Sequence, residues 1–542
     1  MSLRREGKLS SRDVSRRERS AMTKPKVAIL GTGYVGLVAA AVFAERGFDV
    51  LASSQDKEKV ETINRGRAPF FEQDLDAIVE ATVRAGRLRA VLGRREAVLQ
   101  SDIFFIAVGT PSLMSGEADL RLVKETAAAI GEALREKKTY SLVVARSTIV
   151  PGTTRNVILP LLEKHSGKKA GEDFGVCMSP EFLRQGAAVY DTRNPDSVVI
   201  GEFDARSGDF LESFCRQVYA GQDVPILRMN LESAEMVKYG RNTFLAMNIS
   251  YINELARIAE TIPGIDIYEV VKGIGADWRI NPAFLNAGCG YGGSCFPKDV
   301  KALISFARLR SVQPQLLETV EEVNEQQAIH VVAIAKQELG GSLKGKRVAL
   351  LGLAFKPGTD DMREAPSIKV ANHLYAQEAD IVAYDPKAIP NARNRFIRDT
   401  IKISYANSVE ECLTGADCCI LLTEWDEFKK LTPDVFNRCM KRSVIVDGRR
   451  IWDESFRKKV ASYRGIGLGS NNAYASEHTV LFKLGDQLIQ AGLITPEQLE
   501  KALEEQNRSG GLIGANLIKL GFLTEQALLD FLGRQYGISR TN

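Results

Sequence analysis

The chain has 542 residues, too many for one hydrophobic core, and its length suggests three or four domains. Its 44% apolar and 26% charged residues are the proportions of a soluble globular protein, and a net charge of +4 gives no reason to expect nucleic acid. No apolar run approaches the ~18 residues that span a bilayer, so membrane insertion is not expected. Eight scattered cysteines without C-x-x-C spacing argue against a disulfide framework or zinc site and fit a reducing cytoplasm. The four histidines (His165, His330, His373, His478) stand outside any motif, which disfavours serine–histidine hydrolysis; no metal site is expected.

The first 23 residues carry Arg4, Arg5, Lys8, Arg12, Arg16, Arg17 and Arg19 in a polar stretch with no apolar h-region. They read as a disordered basic arm, or as an extension upstream of a start at Met22. From Lys26, short β-branched runs alternate with amphipathic stretches. Val27–Leu30, Phe48–Ala52, Ile103–Val108 and Leu142–Ala145 read as strands, with Val35–Glu45 the helix after the first. Residues 231–262 form a long helical pattern. A second α/β run begins at Lys346, its strands being Val348–Leu351, Ile381–Tyr384, Cys418–Leu422 and Val444–Val446. Strands separated by helices imply parallel sheets. The expected fold is therefore α/β, with two Rossmann-like doubly wound domains joined by a long central helix, plus a small helical C-terminal domain. The expected divisions are an arm at 1–23, a dinucleotide-binding domain at 24–230, a central helical domain at 231–330 and a second Rossmann-like domain at 331–462. A linker at 463–477, Gly/Ser/Asn-rich over 465–472, then leads to a module at 478–542.

Gly31-Thr-Gly33-Tyr34-Val35-Gly36 follows the first strand and opens the first helix. A dinucleotide pyrophosphate needs that context: glycines for the tight turn and close backbone approach, and a helix N-terminus to meet the anion. The register set by Val50, Asp56, Lys59 and Val60 puts Ser54 where a ribose-binding carboxylate usually stands, with Asp56 as the alternative contact. A carboxylate repels a 2′-phosphate and a serine does not. NAD is the expected cofactor, and NADP stays open.

The most informative segment is Gly288-Cys289-Gly-Tyr291-Gly292-Gly-Ser-Cys295-Phe-Pro-Lys298-Asp299. A glycine-rich loop exposes Cys295 just before the helical stretch Val300–Arg308. A thiol near a helix N-terminus, with Lys298 nearby, is expected to ionise more easily than a free cysteine, whereas Cys289 reads as inert. The block from Asp277-Trp-Arg279-Ile280 through Asp299 closely resembles the active-site signature of the UDP-glucose/GDP-mannose dehydrogenase family. The resemblance runs from about residue 25 to 455. It includes Val108-Gly-Thr110-Pro, Ser147-Thr148-Ile-Val-Pro-Gly152, Ser179-Pro-Glu181-Phe182-Leu183-Arg184 and Ala234-Glu-Met-Val-Lys238-Tyr-Gly-Arg-Asn242. Gly352-Leu-Ala-Phe-Lys356-Pro, Thr423-Glu-Trp425 and Asp447-Gly-Arg449 complete it.

The resemblance implies a four-electron oxidation of a nucleotide sugar, in which a Cys295 thiohemiacetal becomes a thioester that is then hydrolysed. It implies that Lys238 and Asn242 stabilise the developing oxyanion and that Thr148, Glu181 and Asp299 position or deprotonate water, with the base left open. Thr110, Thr148 and Lys298 join the implied cofactor set. Glu181, Phe182, Leu183, Lys238, Asn242, Phe284, Leu285, Tyr291, Gly292, Lys356 and Arg449 are the implied substrate contacts, with Arg279 reaching in from a neighbouring subunit of a homodimer or higher homo-oligomer. The residues around Cys295 look like the UDP-glucose branch, with GDP-mannose or another UDP-hexose as the runner-up. Ser54, Asn248 and Cys289 depart from the family pattern.

The tail repeats itself. Lys483–Gln506 and Leu512–Gln535 match at an offset of 29 residues, pairing Gly485 with Gly514, Gly492 with Gly521 and Thr495 with Thr524. Each copy ends in a helix capped by Thr495 or Thr524. The units resemble the N-terminal domain of type II secretion and pilus ATPases, some of which bind cyclic di-GMP. Lys483, Leu484, Gly485, Gln506, Gly514 and Gln535 are the implied contacts, each Gly485-type position being read as a turn. A helical docking module is the alternative for the tail. A mainly nucleotide-responsive regulatory protein is the alternative for the whole chain, and intact Cys295, Lys238 and Asp299 argue against it.

Overall fold

The computed structural model describes residues 24–113, 115–398, 401–470, 484–509 and 512–536. The basic arm, the second half of the linker, Lys483 and the side chain of Gln535 lie outside the described residues. The chain divides into two compact units, Met1–Leu245 with Cys295–Glu318 and Ala246–Ser294 with Thr319–Asn542. The helices of the stretch 231–330 are shared between them, and the 30-residue central helix Leu231–Glu260 gives residues to both.

In the first unit, β1 (Val27–Leu30), β2 (Val50–Ser54), β3 (Leu88–Leu92), β4 (Ile103–Ile106), β5 (Ser141–Ala145), β6 (Phe174–Met178), β7 (Val198–Glu202) and β8 (Ile226–Asn230) form one sheet. Its order is β3-β2-β1-β4-β5-β6-β7-β8, parallel except between β6 and β7. The first six strands follow the doubly wound order. Strands such as Val27–Leu30 and Ile103–Ile106 are buried throughout because helices cover both faces, Leu37, Val42 and Phe43 on one and Val123, Ala127 and Ile130 on the other. The second strand begins two residues later than its apolar run implied. Gly47 turns the chain with φ 84°, and Phe48 packs its ring against Phe214 at 5.0 Å. The pairing starts only at Val50, and Ser54 becomes the strand's last residue, opposite Leu92.

In the second unit, β9 (Arg347–Leu351), β10 (Asp380–Tyr384), β11 (Ser404–Tyr405), β12 (Cys418–Leu421), β13 (Val444–Asp447) and β14 (Ser462–Gly465) form an all-parallel sheet in the order β11-β10-β9-β12-β13-β14. The last strand corrects the linker. Ser462–Gly465 pairs with β13, and the chain stays attached beyond it. The Gly467 amide donates to Glu260 Oε1 (2.7 Å), and the Gly469 amide donates to the Ile265 carbonyl (2.8 Å). Gly/Ser composition signals freedom, but it does not reveal a buried carboxylate and a backbone carbonyl waiting to accept those amides.

The tail forms helices Leu484–Gln490, Pro496–Ser509, Ile513–Lys519 and Glu525–Tyr536 around Leu488, Ala502, Leu517 and Phe531. Thr495 and Gln498 cap each other's amides reciprocally at 3.3 and 2.8 Å, and Thr524 Oγ1 accepts the Ala527 amide at 3.1 Å. Gly485 and Gly514 are not turns. They lie inside short helices, where an added Cβ would come within 2.2 Å of Leu499 and 2.8 Å of Leu528. The turns are at Gly492 and Gly521, with φ 66° and 71°.

One buried carboxylate ties the central helix to the loop after β5. Glu235 is fully buried; it accepts the Gly152 amide (2.6 Å), the Thr154 amide (2.7 Å) and the Thr154 hydroxyl (2.6 Å). Burial outweighs these bonds and pushes its carboxyl up to about 7 from 4.5. An acid raised in the folded state contributes stability that is complete below the unfolded value and is lost as pH rises through the folded one. Relative to Glu235→Gln, the wild type should lose stability between pH 4.5 and about 7, by up to ~1.4 kcal/mol per pH unit. Thermal midpoints of both proteins across that window measure it, and parallel curves would contradict it.

Candidate active site

The glycine loop has the shape a dinucleotide requires. Gly31 holds φ 121°, and a Cβ there would lie 2.4 Å from the Ala107 carbonyl oxygen; one on Gly36 would lie 1.9 Å from the Gly31 carbonyl. Around Gly33 there is open space within 4 Å. Gly33 precedes the Tyr34–Glu45 helix without a side-chain cap, so the first-turn amides stay available to an anion. Tyr34 packs on Phe70 at 4.2 Å, and Val35 is half-buried. Thr110 Oγ1 donates to the Thr148 carbonyl (2.7 Å) and Ser147 Oγ to the Val108 carbonyl (2.6 Å), joining the loops that leave β4 and β5. At the end of β2, Ser54 Oγ accepts the Asp56 amide (3.1 Å). Asp56 itself caps the Lys57–Asn64 helix, its Oδ1 accepting the Glu58 and Lys59 amides. These residues fit a nicotinamide dinucleotide, with two tight glycines for the turn and one open glycine for the pyrophosphate.

Cys295 is exposed and sits at the N-terminus of the Phe296–Arg308 helix. Four of the other implied catalytic residues gather near it. Lys238 Nζ donates to Glu181 Oε1 (2.9 Å) and to the Glu181 carbonyl (2.8 Å), while Glu181 Oε2 accepts the Leu183 amide (2.8 Å). Asn242, one helical turn after Lys238, donates to Asp299 Oδ2 (2.5 Å), and Lys298 Nζ donates to Asp299 Oδ1 (2.5 Å). Lys298, an implied cofactor contact, is therefore bound to Asp299. Burial works against the Lys238 charge, but Glu181, Cys295 and Asp299 outweigh it and hold the ammonium above its ordinary range. Phe182 lies beneath both Lys238 (5.5 Å) and Arg241 (3.9 Å). No hydrogen bond ties the half-buried Thr148 side chain to this group among the described residues.

The remaining implied substrate contacts belong to the second unit. Arg449 Nε donates to the Leu422 carbonyl (2.8 Å) and lies 3.3 Å from Glu424. Burial disfavours its charge, but the surrounding Cys289 and Glu424 raise the guanidinium above its ordinary value. Lys356 stands over the Phe355 ring at 5.5 Å. Tyr291 and Leu285 are buried, and Phe284 is half-buried. Gly292 admits no side chain, since a Cβ would lie 2.3 Å from the Glu364 carbonyl oxygen. Arg279 is exposed and engages its own Asp277. Cys289 is buried and its thiol is pushed up by that burial, as its inert reading implied.

Sequence reasoning missed the residues that hold the loop before the cysteine. Asn253 Oδ1 accepts the Gly288 amide (2.8 Å) and Gln327 donates to the Gly288 carbonyl (2.8 Å). Asn324 brackets Tyr291, accepting its amide (2.7 Å) and donating to its carbonyl (3.1 Å). Their signal was polar amides at core positions of long helices, Asn324 and Gln327 being three apart within Gln315–Glu338. Glu235 stood unweighed inside a motif quoted for Lys238.

Three segments match one family, described as UDP-glucose/GDP-mannose dehydrogenase: its NAD binding domain at residues 25–221, its central domain at 232–326 and its UDP binding domain at 349–454. The chain is 43% identical over 427 residues to a UDP-glucose 6-dehydrogenase of Haloferax volcanii, covering 79% of this chain and 97% of that one. It is 39% identical over 443 residues to a UDP-glucose 6-dehydrogenase of Bacillus subtilis, covering 82% and 93%. Among solved structures, a UDP-glucose dehydrogenase of Pyrobaculum islandicum superposes with TM-score 0.76 at 36% identity, covering 82% of this chain and 98% of that one. A UDP-D-ManNAc dehydrogenase of Pyrococcus horikoshii gives TM-score 0.72 at 29% identity, covering 82% and 99%. With two doubly wound sheets, a dinucleotide loop and a lysine–carboxylate cluster beside an exposed cysteine, the chain belongs to the UDP-glucose/GDP-mannose dehydrogenase family.

Proposed function

We propose that this NAD-dependent dehydrogenase oxidises the C6 alcohol of UDP-glucose to the carboxylate of UDP-glucuronate. The observation that carries the reading is the buried Lys238–Glu181 pair beside Cys295, with Asn242 and Asp299 hydrogen-bonded to each other next to it. NAD, held by the Gly31–Gly36 loop, would supply the hydride acceptor. The C6 alcohol gives up a proton and a first hydride; Cys295 Sγ then adds to the aldehyde so formed, and the resulting oxyanion faces the ammonium of Lys238 and the amide of Asn242. Loss of hydride from that adduct leaves a thioester, which water cleaves to acid and free thiol. Asp299, whose oxygens both accept hydrogen bonds, and Glu181, which is committed to Lys238, orient that water with Thr148. In the second unit, Arg449 and Lys356 are assigned to the UDP-sugar and Tyr291 to the sugar pocket. Exposed Tyr251 and Ile258, seven residues apart on the central helix, and Trp278, 92% exposed, support a homo-oligomer.

The tail is proposed to bind cyclic di-GMP and so adjust the dehydrogenase. What supports it is the folded two-copy repeat with half-buried Gln506 near the end of its helix. Gly485 is packed on Leu499, so substituting it probes folding and not the ligand. Titrating the full chain calorimetrically with cyclic di-GMP should give micromolar or tighter binding that Gln506→Ala weakens; absence of heat would return the tail to a docking module.

With UDP-glucose, two NAD should be reduced for each UDP-glucuronate formed, and GDP-mannose should be a poorer substrate. Cys295→Ala should still bind both ligands but make acid about a thousandfold more slowly or worse. Wild-type acid production by that variant would remove the thioester route.

A further inference from the structure

The dinucleotide site departs from an NAD-only design at its ribose end. In a doubly wound fold, the acid that accepts the ribose 2′-hydroxyl stands at the end of the second strand, and a nearby arginine in its place accommodates a 2′-phosphate. Here β2 ends in Ser54, whose uncharged hydroxyl accepts the Asp56 amide. The nearest acid, Asp56, caps the helix that follows. No carboxylate stands at the strand end to exclude a phosphate.

The backbone of an arginine is fixed beside it. Ser54 pairs with Leu92, the last residue of β3, and the Gly93 amide donates to the Ser54 carbonyl (2.9 Å) while Ser53 Oγ donates to the Gly93 carbonyl (2.8 Å). Arg94 is the next residue, so its backbone is locked to the carboxyl end of β2. The neighbouring arginines are paired: Arg89 with Glu96 (2.6 Å), Arg95 with Glu136 (2.6 Å) and Arg65 with Glu61 (3.0 Å). Arg94 is half-buried, its carbonyl accepts the Val98 amide (3.1 Å), and its side chain makes no hydrogen bond or ion pair among the described residues. Burial lowers its guanidinium below the ordinary range, and the longer-range charge of Glu125 on the Arg121–Leu134 helix opposes this. A guanidinium kept partly from water without a bound acid is suited to a phosphate, which it meets with parallel N–H donors. Lys59, in the first turn after the Asp56 cap, adds a second cation without an ion pair among the described residues.

We propose that Arg94, with Lys59 in support, binds the 2′-phosphate of NADP, so that the enzyme accepts NADP as well as NAD. The proposal rests on the dinucleotide reading of the Gly31–Gly36 loop. It is tested on the full chain without substrate, by following the fluorescence of NADH and NADPH on binding and by competition with adenosine 2′,5′-bisphosphate. NADPH should bind within about tenfold of NADH, and Arg94→Ala should weaken NADPH and the bisphosphate by about tenfold or more while leaving NADH within about twofold. Ser54→Asp should weaken NADPH in the same way by placing a like charge against the phosphate. Binding of NADH with none of NADPH, or an equal loss of both cofactors in Arg94→Ala, would overturn the proposal. Failure of NADH itself to bind would overturn the dinucleotide reading and the proposal with it.

Discussion

Lys238 is 3% exposed, and a charge taken out of water this far must be met by an opposite charge and by hydrogen bonds or give up its proton. Glu181 meets it twice, through a carboxylate oxygen and through its own carbonyl, and that fixes where the loop after β6 can run. The same helix then places Asn242 one turn further on, against Asp299, and Asp299 lies one turn into the helix that Cys295 begins. Three separate stretches of sequence are thus held by one buried charge and one amide–carboxylate contact. Removing Glu181 would leave an uncompensated ammonium, a loss of about 3–5 kcal/mol in comparable buried pairs.

The second unit solves its positioning problem with neutral amides and one well-satisfied acid. Asn253, Gln327 and Asn324 grip the backbone of the Gly288–Tyr291 loop at both amides and carbonyls. Asp447, fully buried at the end of β13, accepts the amides of Arg449, Arg450 and Ile451 at 2.9, 2.6 and 2.9 Å and the Tyr463 hydroxyl at 2.7 Å. That turn fixes the backbone from which the Arg449 side chain leaves, so the aspartate in Asp447-Gly-Arg449 is structural. The tail is built differently again, by glycines that let short helices touch. Each repeat packs a leucine into the space where a Cβ would otherwise stand.

Much of this was legible in the letters. Apolar runs located the core strands because parallel strands are buried on both faces, and the glycine spacing located the dinucleotide turn because two of its three positions admit no Cβ. What the letters hid was long-range. Nothing local distinguishes Glu235 from a surface glutamate, since its partners at Gly152 and Thr154 are some eighty residues away. Glycine at 465–470 read as slack because composition does not report capture by Glu260, two hundred residues earlier. Gly485 and Gly514 read as turns because a glycine permits both a turn and a close helix crossing, and only the facing Leu499 and Leu528 decide between them. Arg94 drew no notice among many arginines; it stands out only when its neighbours are seen to be paired.

The central claim is that the buried charge of Lys238 acts on Cys295. The rate of Cys295 alkylation by iodoacetamide, followed against pH in the wild type and in Lys238→Met, tests it most directly, because only the thiolate reacts. The substitution keeps the side chain's length and apolar body and removes the ammonium. The account predicts that the pH at which Cys295 becomes reactive moves upward in Lys238→Met by about one unit or more. Coincident profiles, with both proteins folded, would contradict it.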